Sequence, residues 1–277
     1  MLIFNYSFAQ SNLIDSFVKL KNTDERISFL SNDNVTNLGK NGCYALKTEL
    51  QKNGDDKALF FLCVRINDFY VLDAKELKIN TDLMFDISKR NNFKAELLVT
   101  NFKSTINIYG GNLISEQEAY YRYLNIFEGI KNTDLNSLYN YGLEAILYEI
   151  GRNFYEVGDY EKALECLILL EKKVKIQNIF YVLSLNLMET IYAKQKQYNL
   201  SMIYAYKIYK FSSNNKNISN LQIWQSNFWS GFSAFNIAKY AQSLGKHKIC
   251  LYYLSIGQKL LVKNIDLKNI SMLVSEV

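Results

Sequence analysis

The chain has no proline, only 12 glycines in 277 residues, and a single histidine. Without proline and with so little glycine it lacks the punctuation of sandwiches and barrels, and helices joined by short polar turns fit it better. Long apolar runs are missing too. "ALFFLCV" at 58–64 stops at Arg65, well short of the roughly 20 residues that cross a bilayer. There is no long block of one charge sign. The 32 basic and 27 acidic side chains leave +5, which gives little electrostatic support for nucleic-acid binding. His247 alone makes neither a histidine-based metal site nor a Ser-His-Asp triad easy to draw. No P-loop, H-E-x-x-H or strand-linked G-x-G-x-x-G occurs, so no enzyme chemistry, cofactor or metal is expected. Cys43, Cys63, Cys166 and Cys250 are far apart with no C-x-x-C spacing, and three of them lie in apolar helical patterns. They read as buried free thiols.

What the sequence does contain is helical periodicity. About half of its residues are apolar, enough for the core of one large or two ordinary domains. In "IGRNFYEVGDYEKALECLILLEKK", 150–173, Ile150, Gly151 and Phe154 continue a face begun by Leu147. Ala163, Leu167 and Leu170 share a face of the next helix, and Gly158-Asp159 supplies a tight turn. Small residues at Gly151 and Ala163 let the two helices approach closely.

A second copy has Leu185, Met188, Tyr192, Ser201 and Ala205 in the corresponding places, with Glu189 where the glycine stood. A third has Ala234, Ile237, Ala238, Ala241, Cys250 and Leu254, turning at Gly245-Lys246. Farther upstream the pattern fades. "KNGDDKALFFL" at 52–62 repeats the turn, with Ala58 in the small slot, and "SEQEAYYRYLNIF" at 115–127 opens on a capping-box pattern. Asp55-Asp56 and Glu116/Glu118 read as helix starts, where carboxylates favour the macrodipole.

This pattern resembles the tetratricopeptide repeat, W-x2-L-G-x2-Y followed by A-x3-F, although the closing proline is absent. The small slots Ala163, Ser201 and Cys250 are 38 and 49 residues apart, against about 34 in a regular array. The helices are therefore longer or their connections looser, as "KFSSNNKNISN" at 210–220 suggests. The resemblance implies an all-α fold, a TPR-like α-solenoid of stacked antiparallel helical hairpins. Residues 131–277 form its clearer repeats, and residues 10–130 form divergent helical repeats and an N-terminal cap.

In that family the first helix of each hairpin lines a concave groove. The matched positions are Tyr148, Arg152 and Tyr155 from the first clear unit. Asn186, Thr190 and Lys194 come from the second, and Phe235, Lys239 and Gln242 from the third. Such side chains suit a protein partner or extended peptide, through aromatic contact, donors for carbonyls and charge for carboxylates. The plainer alternative for each is a solvated helix position. Leu187 and Phe232 stand in two slots of the family's carboxylate clamp, so that clamp is not expected.

The expected role is a non-enzymatic binding scaffold. Alternatives are the sensor portion of a larger regulator and an intracellular peptide-pheromone receptor, although no basic recognition helix is found in residues 1–70. "MLIFNYSFAQS" at the N-terminus resembles the tail of a bacterial signal peptide, with cleavage after Ala9 as in exported Bacteroidetes proteins. Its basic region would have to come from upstream codons. A periplasmic or exported protein is one expectation, and a cytoplasmic one with an ordinary N-terminus is the other. If the leader is real, protein made with upstream codons restored begins at Gln10 by N-terminal mass spectrometry, whereas an intact Met1 excludes processing.

Overall fold

The computed structural model describes residues 11–30, 32–173, 178–214 and 223–262. The expected leader, residues 1–9, lies outside the described residues, as does most of the 210–220 connection. Every regular element described is an α-helix. Contacts divide the chain into one unit ending at Tyr141 and another starting at Gly142. Within each unit, helices pack chiefly on their neighbours in sequence, as in a helical-repeat array.

In the first unit, residues 11–18 are helical. They are followed by α1 (Thr23–Phe29), α2 (Asn32–Asn53, broken by a kink at Gly39, φ +64°), α3 (Asp56–Phe69), α4 (Ala74–Arg90), α5 (Lys94–Gly110), α6 (Glu116–Lys131) and the short α7 (Asn136–Tyr139). Helix α3 is the centre, because α1, α2 and α4 all pack on it. The run Ala58–Val64 is accordingly buried on every side, so its uninterrupted apolar sequence marks a core helix.

Asp55 caps α3 by accepting from the Ala58 N–H at 3.2 Å, and also accepts from Thr23 at 3.1 Å and Arg26 at 2.7 Å. One carboxylate thus ends a turn and ties α1 to α3. Asn80 on α4, 2% exposed, serves as a second tie. It accepts from Lys47 Nζ of α2 at 2.8 Å and donates to the Cys63 carbonyl of α3 at 2.9 Å. Tyr141 places its ring 5.4 Å from Phe60 and donates its hydroxyl hydrogen to Glu96 Oε1 at 2.8 Å.

The second unit comprises α8 (Leu143–Glu156), α9 (Tyr160–Lys173), α10 (Ile179–Lys194), α11 (Tyr198–Ser213), α12 (Ile223–Ser243) and α13 (His247–Val262). Ala163, Cys166, Leu167 and Leu170 of α9 are buried against the α8 face Leu147, Ile150, Gly151 and Phe154. A Cβ added at Gly151 would stand 3.0 Å from Leu167 Cγ, tighter than ordinary contact. The glycine is needed for this approach. Helix α10 packs on both α8 and α9, and the pairs α10–α11, α11–α12 and α12–α13 continue the series.

The third hairpin departs from the expected register. Ala234, Ile237, Ala238 and Ala241 are buried, but Cys250 is only half-buried and Leu254 is 43% exposed. The close approach instead runs through Gly231 and Gly257, since a Cβ added at Gly257 would lie 3.1 Å from the Gly231 carbonyl. Of the four thiols, Cys43, Cys63 and Cys166 are buried, and all four are free.

The turns explain how a proline-free chain reverses direction. Gly158 adopts φ +84°, its N–H bonds the Tyr155 carbonyl at 3.0 Å, and the Asp159 N–H bonds the Phe154 carbonyl at 2.9 Å. This is the Schellman arrangement, which satisfies carbonyls a helix end leaves open. Gly245 repeats it at φ +69° and, without glycine, so does Lys196 at φ 60°.

Replacing Ala163 with Leu should force α8 and α9 apart and cost about 1–3 kcal/mol through overpacking. Thermal unfolding checks this: a clear fall in Tm is expected, and an unchanged Tm would contradict the seam.

Candidate functional site

The expected groove residues of the second unit fall into different surroundings. Tyr148 is half-buried, its ring 5.9 Å from Phe180 of α10, so it helps join α8 to α10. Burial raises its hydroxyl pKa. Arg152 is held on its own helix between Glu149 at 3.1 Å and Glu156 at 3.4 Å. Tyr155 meets Tyr160 at 5.8 Å, and Lys194 Nζ lies 4.5 Å from the Tyr155 ring centre. The two tyrosines raise the Lys194 pKa, chiefly through Tyr155. Tyr155 and Lys194 are therefore brought together.

The remaining positions spend more of their capacity locally. Thr190 donates its hydroxyl to the Asn186 carbonyl at 2.9 Å, one turn earlier. Phe235 is turned onto α13, with ring carbons 3.1 and 3.2 Å from the position of a Cβ at Gly257. It fills the α12–α13 seam rather than an open surface. Lys239 and Gln242 are exposed, the former 5.8 Å from the Tyr240 ring centre.

Between these positions lies a group that periodicity alone does not explain. Glu189 replaces the glycine of the first hairpin, yet it is 1% exposed. Tyr240 of α12 donates to its Oε1 at 2.9 Å, while Oε2 is buried without a hydrogen-bond partner among the described residues. Burial pushes the Glu189 pKa up to about 7, against the opposing effects of Tyr240, Asn236 and Lys239.

A more open site lies in the first unit, in the segment read from sequence only as divergent helices. A cleft of about 450 Å³ runs between α4 and α5, lined by Leu77, Thr81, Phe85, Asn107, Ile108 and Leu113 among others. A second cleft of about 230 Å³ continues toward α6 and is lined by Leu98, Asn101, Arg122, Asn125 and Ile126. Phe85 and Ser104 belong to both, so the two form one channel across three helices.

The α4–α5 part of this channel has an apolar floor, and Leu113 at its edge is 75% exposed. Among the described residues, the side-chain amides of Asn101, Asn107 and Asn125 make no hydrogen bond to another protein group. Lys78 is paired with Asp82 at 2.7 Å and Arg122 with Glu118 at 2.8 Å, so the charges at the rim are largely balanced. The available signal was the spacing of Asn101, Ser104 and Asn107, three residues apart on one face of α5. Such a stripe offers hydrogen bonds beside apolar surface, but holds no nucleophile and base in a catalytic arrangement.

Among the described residues no group of three or more His, Cys, Asp or Glu side chains could hold a metal ion, and no helix is long and apolar enough to cross a membrane. No protein-family model and no curated protein matches the chain.

Glu189 gives a measurable pH signature. Its folded-state pKa of about 7 exceeds the roughly 4.3 of an unfolded glutamate. The folded chain therefore binds more protons between those values, and this group's contribution to stability falls as pH rises through that window, by an amount on the order of 3 kcal/mol. Glu189→Gln keeps an acceptor for Tyr240 and removes the charge. The variant should lose less stability than the parent between pH 5 and pH 8; equal losses in thermal unfolding would contradict the assignment.

Proposed function

We propose that the chain is a non-enzymatic scaffold of the tetratricopeptide kind that holds an extended protein segment, with the α4–α6 channel as its principal binding site. The observation that carries this reading is the channel itself, an apolar floor flanked by carboxamides without internal partners. An extended main chain presents N–H and C=O groups in alternation, and a carboxamide can both donate and accept. The floor can take the alternate side chains. Helix axes 8–10 Å apart make a path across three helices about 20 Å long, room for about six extended residues.

The hairpin architecture supports the tetratricopeptide assignment through the Gly151–Ala163 seam and the packing of α10 on α8. In the second unit, Tyr155 with Lys194, and Lys239 with Gln242, would provide a further contact surface. Tyr148 and Phe235 serve mainly to pack helices there, and Arg152 is neutralised by its own helix.

A fluorescence-polarisation screen of ten-residue peptides tests the proposal. For a peptide that binds, Asn101→Ala with Asn125→Ala should weaken affinity about tenfold or more, since each lost hydrogen bond contributes about 1 kcal/mol, and leave Tm unchanged. Undiminished binding to that variant would exclude the channel. If Tyr155→Ala with Lys194→Ala weakened it instead, the binding surface would lie in the second unit.

A further inference from the structure

Charge in this chain is segregated in a way that its lack of single-sign runs conceals. Of the 27 acidic side chains, 25 lie at or before Glu189, while residues 190–265 contain ten lysines and no Asp or Glu. Every arginine lies at or before Arg152. Helices α11, α12 and α13 are consequently free of acidic residues.

Helix packing gathers part of this region onto one surface. Lys246 Nζ lies 3.3 Å from Asn199 Oδ1, bringing the starts of α11 and α13 together. Farther along, Tyr209 and Tyr253 meet edge to face at 5.6 Å, with Tyr206 6.4 Å from Tyr209 and Tyr252 5.2 Å from Tyr253. Side-chain contacts therefore join the two helices through a four-tyrosine cluster.

Opposite the buried stripe Ser201, Ala205, Ile208 and Ser212, α11 presents Ile203, Tyr206 and Lys210. Opposite Cys250, Gly257 and Leu261, α13 presents Lys248, Tyr252 and Lys259, with Ile249 beside them. Ile203 is 49% exposed, Tyr206 47% and Tyr252 63%. Lys162 of the first hairpin is treated differently, since it pairs with Glu165 at 2.8 Å. Lys207, on the flank of α11, reaches Glu171 at 2.5 Å. Among the described residues Lys210, Lys248 and Lys259 have no carboxylate partner.

We infer that this α11–α13 face binds the surface of an anionic bilayer. Exposed aliphatic and tyrosine side chains can enter the interfacial layer while lysines extend their ammonium groups to the headgroups. With no acidic residue on α11, α12 or α13, the unpaired lysines near the surface each add attraction. Nucleic acid fits less well, because base-edge and phosphate recognition favour the bidentate guanidinium and this face has no arginine; the exposed Tyr206 and Tyr252 would stack bases, so single-stranded DNA serves as the competing ligand. The surface belongs to the second unit and uses none of the α4–α6 channel residues.

Vesicle co-sedimentation of the full chain tests the inference. Binding is expected to phosphatidylcholine vesicles containing phosphatidylglycerol, not to phosphatidylcholine alone, and should fall at least tenfold between low salt and 0.5 M salt. Lys210→Glu with Lys248→Glu and Lys259→Glu should reduce it more than tenfold, and Tyr206→Ser with Tyr252→Ser should reduce it at constant charge. Circular dichroism and Tm establish that the variants remain folded. Absence of vesicle binding by the parent chain, or undiminished binding by the folded lysine variant, overturns the inference. So does tighter binding of single-stranded DNA or poly-glutamate than of the vesicles, which would assign the surface to a soluble polyanion.

Discussion

Reversing a helix without proline is the constraint on which the architecture rests. At six helix C-termini among the described residues, one residue takes the left-handed conformation: Gly54, Asn92, Asn112, Gly158, Lys196 and Gly245, whereas the left-handed Gly142 stands at the start of α8. At each of the six the next residue's N–H reaches a carbonyl five positions back. The bond satisfies an otherwise open carbonyl and sends the chain back along its helix. Side-chain caps at Asp55, Ser115 and Asp159 then start the following helices. The hairpin is thus largely a local structure, formed from contacts close in sequence.

How tightly the helices of a hairpin pack is decided by small residues. Gly151 against Leu167 sets the α8–α9 seam, and Gly231 against Gly257 sets the α12–α13 seam. Between hairpins the chain uses buried polar pairs as well as apolar packing. Glu189 with Tyr240 does this in the second unit, while Glu96 with Tyr141 makes the corresponding kind of bond in the first. Such pairs cost desolvation but are satisfied only in one alignment, so they favour a particular arrangement over looser packings. Glu189 pays more than Glu96, because one of its oxygens is left without a partner.

The two surfaces proposed for binding differ in physics. The α4–α6 channel is recessed, apolar at its floor and balanced in charge at its rim, which suits short-range recognition of a peptide backbone. The α11–α13 face is open and basic, with tyrosine between its lysines, which suits a diffuse anionic surface whose attraction depends on salt. Both depend on side chains projecting from several helices.

By itself the sequence determined the helical class, the α8–α9 seam, and the turns at Gly54, Gly158 and Gly245. These follow from local periodicity and from residues that adopt left-handed backbone at little cost. Asn92, Asn112 and Lys196 gave weaker local signals for the same geometry, lysine the weakest. Tertiary structure decided what periodicity cannot: that Tyr148 and Phe235 pack against neighbouring helices, that Leu254 stays exposed, and that Glu189 is buried. It also brought Asn101 and Asn125 to one channel, and Tyr206 and Tyr252 to one face. A helical repeat specifies which side of its own helix a residue occupies, but only the neighbouring helices determine whether that side becomes a seam, a cleft or an open surface.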